Sequence, residues 1–270
     1  MAENLMSNKL FVMHHAPIAK RRGEIIGSRT DSDLSEYGVK VANRQAEHLY
    51  RLLELQALKN IGQLILSSPL RRAIQTSEII ATKCDMDIST DYRLRAQDFG
   101  VLDGMTFDEV LQDDTLKNNL WEYMAKSSRD DHKGHGGESN TEIASRVAEF
   151  KNETLASLGA ESRPLIITHG TVIDAMIATI DRKRLDEIEG KNRIFEGRVI
   201  EFTNSTYYPV GEPLTAFYFI PGVATQNSID QQKALIRNYM LSCKGADERV
   251  HLEKLLDIFE RENDATQELK

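Results

Sequence analysis

Three short apolar runs in this chain each end on residues that can handle phosphate. "KLFVM" runs straight into His14 and His15, "QLILS" into "SPLRRA" with Arg71 and Arg72, and "PLIIT" into His169 and Gly170. A guanidinium grips phosphate through a planar fork of donors. An imidazole attacks phosphorus when its second nitrogen is held by a hydrogen bond. Alone, each signal has a plainer reading: a histidine at a strand end is a polar boundary residue, and "LRRA" is a solvated first helical turn. A cation in that turn opposes the helix dipole, so a nearby anion offsets it. Together the three describe a phosphoryl pocket, provided that the runs lie side by side with their ends at one edge.

The surrounding pattern predicts that arrangement. After Ser35, Ala42, Ala46, Leu49 and Leu53 recur at helical spacing. "LRRAIQTSEIIA" reads as a helix with Pro69 at its first turn. Ser139 and Glu142 form a capping box ahead of Ile143, Val147 and Phe150. Another helix is predicted from about Val172, and "RVIEF" and "TAFYFI" read as later strands. Strands alternating with helices predict an α/β fold, a mostly parallel sheet with helices on both faces. Ligands in such folds bind beyond the carboxyl ends of the strands.

The polar, helical stretch from about 107 to 137 reads as an insertion within a domain spanning 1–221. Residues 222–270 read as a helical C-terminal extension, with "QQKALIRNYML" and "VHLEKLLDIFE" amphipathic and able to meet a protein partner. The 270 residues suffice for one large core. A formal net charge of −8 argues against a nucleic-acid binder. Two distant cysteines, no run long enough to span a bilayer and no signal-peptide core predict a cytoplasmic protein without a membrane contact.

The order of these motifs resembles the histidine phosphatase superfamily, which includes the cofactor-dependent phosphoglycerate mutases and the ribazole-phosphate and broad-specificity phosphatases. His14-His15-Ala16-Pro17 stands at the family's Arg-His-Gly or Arg-His-Ala-Pro opening. "SSPLRRAIQTSEII" is similar to Ser-x-x-x-Arg-Ala-x-Gln-Thr, "LRAQDFGVLDGMTFDEV" to the Leu-Arg-Glu segment, "GGESNTEIASRV" to Gly-Glu-Ser and "LIITHGTVI" to the second His-Gly. "GSRTDSDLSEYG" resembles the segment between the first two. The likeness runs from about Leu10 to Ile220.

The resemblance implies a phosphoglycerate mutase-like fold and a phosphatase acting on a phosphate monoester or phosphoprotein. His15 is then the nucleophile, His169 stabilises transition-state charge and Arg72 clamps phosphate. No cofactor or metal is implied. Two positions depart from the family. His14 replaces the motif Arg, and serves as a phosphate contact if a bound anion raises its pKa. That predicts better activity at mildly acidic pH than at pH 8. Ala96 replaces the usual acid, which leaves Asp98 and Asp103 as candidate proton donors. Lys20, Arg21, Arg22 and Arg29 follow the nucleophile, and Arg21 or Arg29 could replace the missing arginine as a phosphate contact. The rival reading is a weak or inactive pseudophosphatase that binds a phosphorylated ligand or protein. A mutase is the third.

Overall fold

The computed structural model of the chain describes residues 10–21, 23–54, 61–126, 136–155, 157–158, 163–181, 199–202 and 207–210. Among these residues six strands build one sheet: β1 (Leu10–His14), β2 (Leu64–Ser67), β3 (Asp87–Thr90), β4 (Leu165–Thr168), β5 (Val199–Phe202) and β6 (Tyr207–Val210). Their spatial order is β3-β2-β4-β1-β5-β6. The first four are mutually parallel, while β5 runs antiparallel to β1 and β6 antiparallel to β5. The sheet is thus mostly parallel, as the alternating pattern predicts.

Helices cover both faces, and strand periodicity decides which residue meets which helix. On one face Phe11, Met13, Ile65, Leu165 and Ile167 pack with Ala46 and Leu49 of α1 (Glu36–Glu54) and Ala73 and Ile80 of α2 (Arg71–Cys84). On the other, Leu10, Val12, Leu66 and Ile166 pack with Ile143, Val147 and Phe150 of an Asn140–Phe150 helix and with Val172 to Ala178 of a Gly170–Asp181 helix. Between β3 and these last two lie α3 (Phe107–Gln112) and α4 (Asp114–Lys126), so the Asn140–Phe150 helix is α5 and the Gly170–Asp181 helix α6. Each fully buried Leu, Ile or Phe stabilises the fold by about 1.5–3 kcal/mol.

Several elements differ from the sequence reading. β3 was not anticipated: all four of its residues are exposed, so "DIST" carries no apolar signal and is held by pairing with β2 at the sheet edge. β6 was also not anticipated; it contains Pro209, whose missing N–H an edge strand tolerates. Pro69 precedes α2 rather than sitting in its first turn, because Leu70 is the N-cap and Arg71 the first helical residue. α6 starts at Gly170, two residues earlier than predicted, directly behind His169. The Ser139–Glu142 capping box forms as expected, and Thr106 with Glu109 forms a second one at α3. The helical stretch from 107 is α3 and α4; its later part, the strand "TAFYFI" and the extension 222–270 lie outside the described residues. Among the described residues no helix is long and apolar enough to cross a membrane.

Candidate active site

β4 lies between β2 and β1, and all three are parallel, so their carboxyl ends share one edge of the sheet. His14 and His15 leave β1 there, Arg72 opens α2 just beyond β2, and His169 follows β4. The helices after β1 and β2 cover one face and α5 and α6 the other, so the chain diverges here and opens a crevice. The rings of His15 and His169 lie 4.9 Å apart between centroids, and those of His14 and His15 4.3 Å apart.

Each imidazole is oriented by a fixed hydrogen bond. His15 Nδ1 lies 2.7 Å from the Ala16 carbonyl oxygen. A carbonyl only accepts, so Nδ1 carries the proton and Nε2 keeps its lone pair. His14 repeats the pattern one residue earlier, Nδ1 donating to the His15 carbonyl at 2.8 Å. His169 Nε2 meets Ser68 Oγ at 2.8 Å, and its Nδ1 is buried with no partner among the described residues. The turn after His15 is anchored from α2, where Thr76 Oγ1 accepts from Ala16 N–H at 3.0 Å and donates to Arg72 O at 2.7 Å.

Arg72 is 1% exposed, a charge the fold has taken almost wholly out of water. One terminal nitrogen donates to Thr30 O at 2.8 Å and the other to Gly27 O at 2.9 Å, while Nε is buried with no partner among the described residues. Burial lowers its pKa to about 10, opposed by the charges of Asp31 and Asp103. Gly27 must be glycine, since a Cβ there would stand 2.4 Å from Asp103 Oδ2 and 2.6 Å from Gln97 O. The imidazoles respond to the same environment. Burial first, then the neighbouring His14 and Arg72, hold His15 well below its ordinary 6.5. His169 is held well below it by burial, His15 and Arg72. His14 is also lowered, by burial and secondarily by Arg72, against a raising hydrogen bond to the His15 carbonyl. The ligand-free site therefore favours neutral His14, and any cationic form must be drawn out by a bound anion.

The remaining sequence candidates sit in other contacts. Asp103 accepts from Gly27 N–H at 2.9 Å, Arg29 N–H at 2.8 Å and the Thr30 hydroxyl at 2.5 Å, and so shapes the loop that holds Arg72. Asp98 pairs with Arg29 Nε at 2.8 Å and accepts from Gly100 N–H at 2.7 Å. Arg29 also donates to Gly136 O. Arg21 is exposed and turned to α3, pairing with Glu109 at 2.7 Å and donating to Gly104 O. Lys20 is exposed, and Arg22 lies outside the described residues. The structure thus gathers His14, His15, Arg72 and His169, and ties Arg21, Arg29, Asp98 and Asp103 into the loops around them.

Behind Ala96 lies a network that the sequence did not reveal. Glu138 accepts from Arg95 at 2.5 Å and from Arg146 Nε at 2.8 Å, and Arg146 also donates to the Arg93 and Ala96 carbonyls. The Gly-Glu-Ser motif signalled Glu138, but not its partners, which lie 43 residues before it and 8 after. Ser68 was likewise missed; its place beside "PLRRA" was the available signal. Among the described residues no group of three or more His, Cys, Asp or Glu side chains could hold a metal ion.

The profile of the histidine phosphatase superfamily (branch 1) matches residues 10–202. The chain belongs to this superfamily. The probable phosphoglycerate mutase GpmB of Proteus mirabilis is 32% identical over 173 residues, which are 64% of this chain and 74% of that protein. Among solved structures, a mycobacterial glucosyl-3-phosphoglycerate phosphatase shares 23% identity and superposes with a TM-score of 0.56 over 72% of this chain and 89% of its own. The α-ribazole phosphatase of Shigella flexneri shares 17% identity with a TM-score of 0.59 over 74% and 94%. At these identities the two structures speak for the fold.

Proposed function

We propose that this member of the superfamily is a phosphatase that hydrolyses a phosphate monoester or a phosphoprotein through a phosphohistidine on His15. The observation that carries this is the hydrogen bond from His15 Nδ1 to Ala16 O, which leaves Nε2 free as a nucleophile inside a buried, electropositive pocket. The lone pair of Nε2 forms the N–P bond while the ester P–O bond breaks. The leaving oxygen departs as an anion and takes a proton from water or a nearby acid. Water then attacks phosphorus, the P–N bond breaks, and His15 returns neutral as phosphate is released. Arg72 and His169 hold the equatorial oxygens, the main contribution in phosphoryl transfer. His14 adds a contact that strengthens when the bound dianion raises its pKa and the ring takes up a proton from solvent. By their names, the glucosyl-3-phosphoglycerate and α-ribazole phosphatases act on phosphorylated small molecules, which supports a substrate of that kind.

Ala96, 6% exposed, carries no acid beside the pocket. The oxygens of Asp98 and Asp103 already accept from Arg29 and loop N–H groups. Substrates whose leaving group departs as a stable anion are therefore favoured. The same observation favours the second reading, a pseudophosphatase that binds phosphorylated ligands without turnover. The mutase reading rests on the name of the Proteus relative. Phosphate release from an aryl phosphate between pH 5 and 8, with His15→Ala alongside and 3-phosphoglycerate interconversion assayed in parallel, separates the three. Turnover lost in His15→Ala supports the phosphatase. A folded wild type that binds phosphate but releases none from any aryl ester overturns it.

A further inference from the structure

We infer that Ser68 is a positioning residue that sets the tautomer of His169, placing its proton on Nδ1 to meet a phosphoryl oxygen. The inference rests on the phosphatase reading for its role, but its geometry stands alone. Ser68 follows β2 directly and is fully buried. Its backbone N–H donates to Ile167 O at 2.9 Å, which locks the end of β2 to β4 two residues before His169. Its Oγ accepts from Leu70 N–H at 3.3 Å and lies 2.8 Å from His169 Nε2.

A hydroxyl has one proton to give and two lone pairs. One lone pair of Ser68 faces the Leu70 N–H. Among the described residues His169 Nε2 is the acceptor available to its proton. Nε2 is then the acceptor nitrogen, and a neutral ring must carry its proton on Nδ1. Burial first, then the neighbouring His15 and Arg72, disfavour a protonated ring, so the tautomer decides which way it binds.

The state of Nδ1 agrees. Among the described residues it has no hydrogen-bond partner, and it is buried beside the nucleophilic ring and near Arg72, whose Nε is likewise buried and unpartnered there. A buried N–H left unpaired costs free energy that an incoming oxyanion removes. The opposite tautomer sets a lone pair against that oxyanion and converts an attraction into a repulsion. Ser68 thus acts through His169 without touching substrate.

The test is 15N NMR of the full chain labelled at histidine, with His169→Gln assigning the His169 signals. The wild type is expected to show a protonated Nδ1 and an unprotonated Nε2. Ser68→Ala is expected to populate both tautomers and to lower aryl phosphate turnover by about 10- to 100-fold, less than removal of an oxyanion donor outright. Ser68→Thr, which keeps the hydroxyl, restores the wild-type tautomer. A wild-type proton on Nε2, or an unchanged tautomer in Ser68→Ala, overturns the assignment; the first outcome does not depend on Ser68→Ala folding. Protonated Nδ1 in a protein with no turnover supports the Ser68 assignment while sinking the phosphatase reading.

Discussion

Arg72 and Arg146 are both buried arginines, 1% and 6% exposed, and burial lowers the pKa of each. Their partners differ. Arg146 faces the carboxylate of Glu138, which Arg95 shares, and its charge is answered inside the protein. Among the described residues Arg72 donates to two backbone carbonyls and leaves Nε unpaired, while Asp31 and Asp103 act on it through their charge rather than as a paired carboxylate. Closing one's charge within the fold makes a brace, which pins the Arg93 and Ala96 carbonyls at the pocket wall. Leaving the other's charge open makes a receptor that an anion completes. The contrast separates structural from functional charge more sharply than burial does.

The largest effect falls on the brace. Glu138→Leu leaves the buried Arg146 and the half-buried Arg95 without this counter-charge, and is expected to cost about 3–5 kcal/mol in urea unfolding. A loss under 1 kcal/mol would dissolve the contrast. Next comes the receptor. Inorganic phosphate at about a hundred times its dissociation constant should stabilise the wild type by about 2.7 kcal/mol. Arg72→Met should lose most of that protection while changing the stability of the ligand-free protein far less than Glu138→Leu does. Equal phosphate protection in Arg72→Met removes Arg72 from the site.

The third effect is a pH slope. The folded pKa values of His15 and His169 lie well below the 6.5 of the unfolded chain, and that of His14 below it. Below pH 6.5 the unfolded chain therefore binds more protons, so stability is fully present above that pH and is lost as pH falls toward the folded values. Thermal midpoints at pH 7.5 and 5.5 should differ accordingly, and phosphate should flatten the difference by supporting the protonated rings. An identical midpoint at both pH values would show that the rings are not desolvated. Neutral His15 is also the attacking form, so the acid limb of kcat/KM should lie below 6.5. The smallest effect belongs to the exposed guanidinium of Arg29. Its pair with Asp98 should contribute less than about 1 kcal/mol, read from a double-mutant cycle of Arg29→Ala and Asp98→Ala.

His15, Arg72 and His169 were legible because each follows an apolar run, and parallel strands carry such positions to one edge whatever lies between them. The core followed from the same periodicities, with Ile143, Val147 and Phe150 buried where helical spacing puts them. β3 was illegible because its four residues are exposed and only its ladder with β2 makes it a strand. The surroundings of Asp103 and Arg21 were illegible for another reason. Asp103 meets Gly27, Arg29 and Thr30 more than seventy residues away in sequence, and Arg21 meets Glu109 across 88. Charge type can be read locally, whereas the partner of a charge is set by the whole path of the chain. Ser68 illustrates the limit: a serine next to a proline announces a turn, and only the arrival of β4 gives it His169.

The position of β4 also sets a timetable. β4 is fourth of the six strands in the chain but sits between the first and second in space. A nascent chain that ends before Leu165 holds β1 and β2 with no strand between them, and each presents a bare ladder edge to any other polypeptide. His15 and Arg72 are by then already made. Translation, which proceeds from the N-terminus at about 5–20 residues per second, leaves that gap open for several seconds after β2 has been synthesised. Insertion of β4 closes the gap between β1 and β2 and delivers His169 in the same movement, while the other edge of β1 waits for β5.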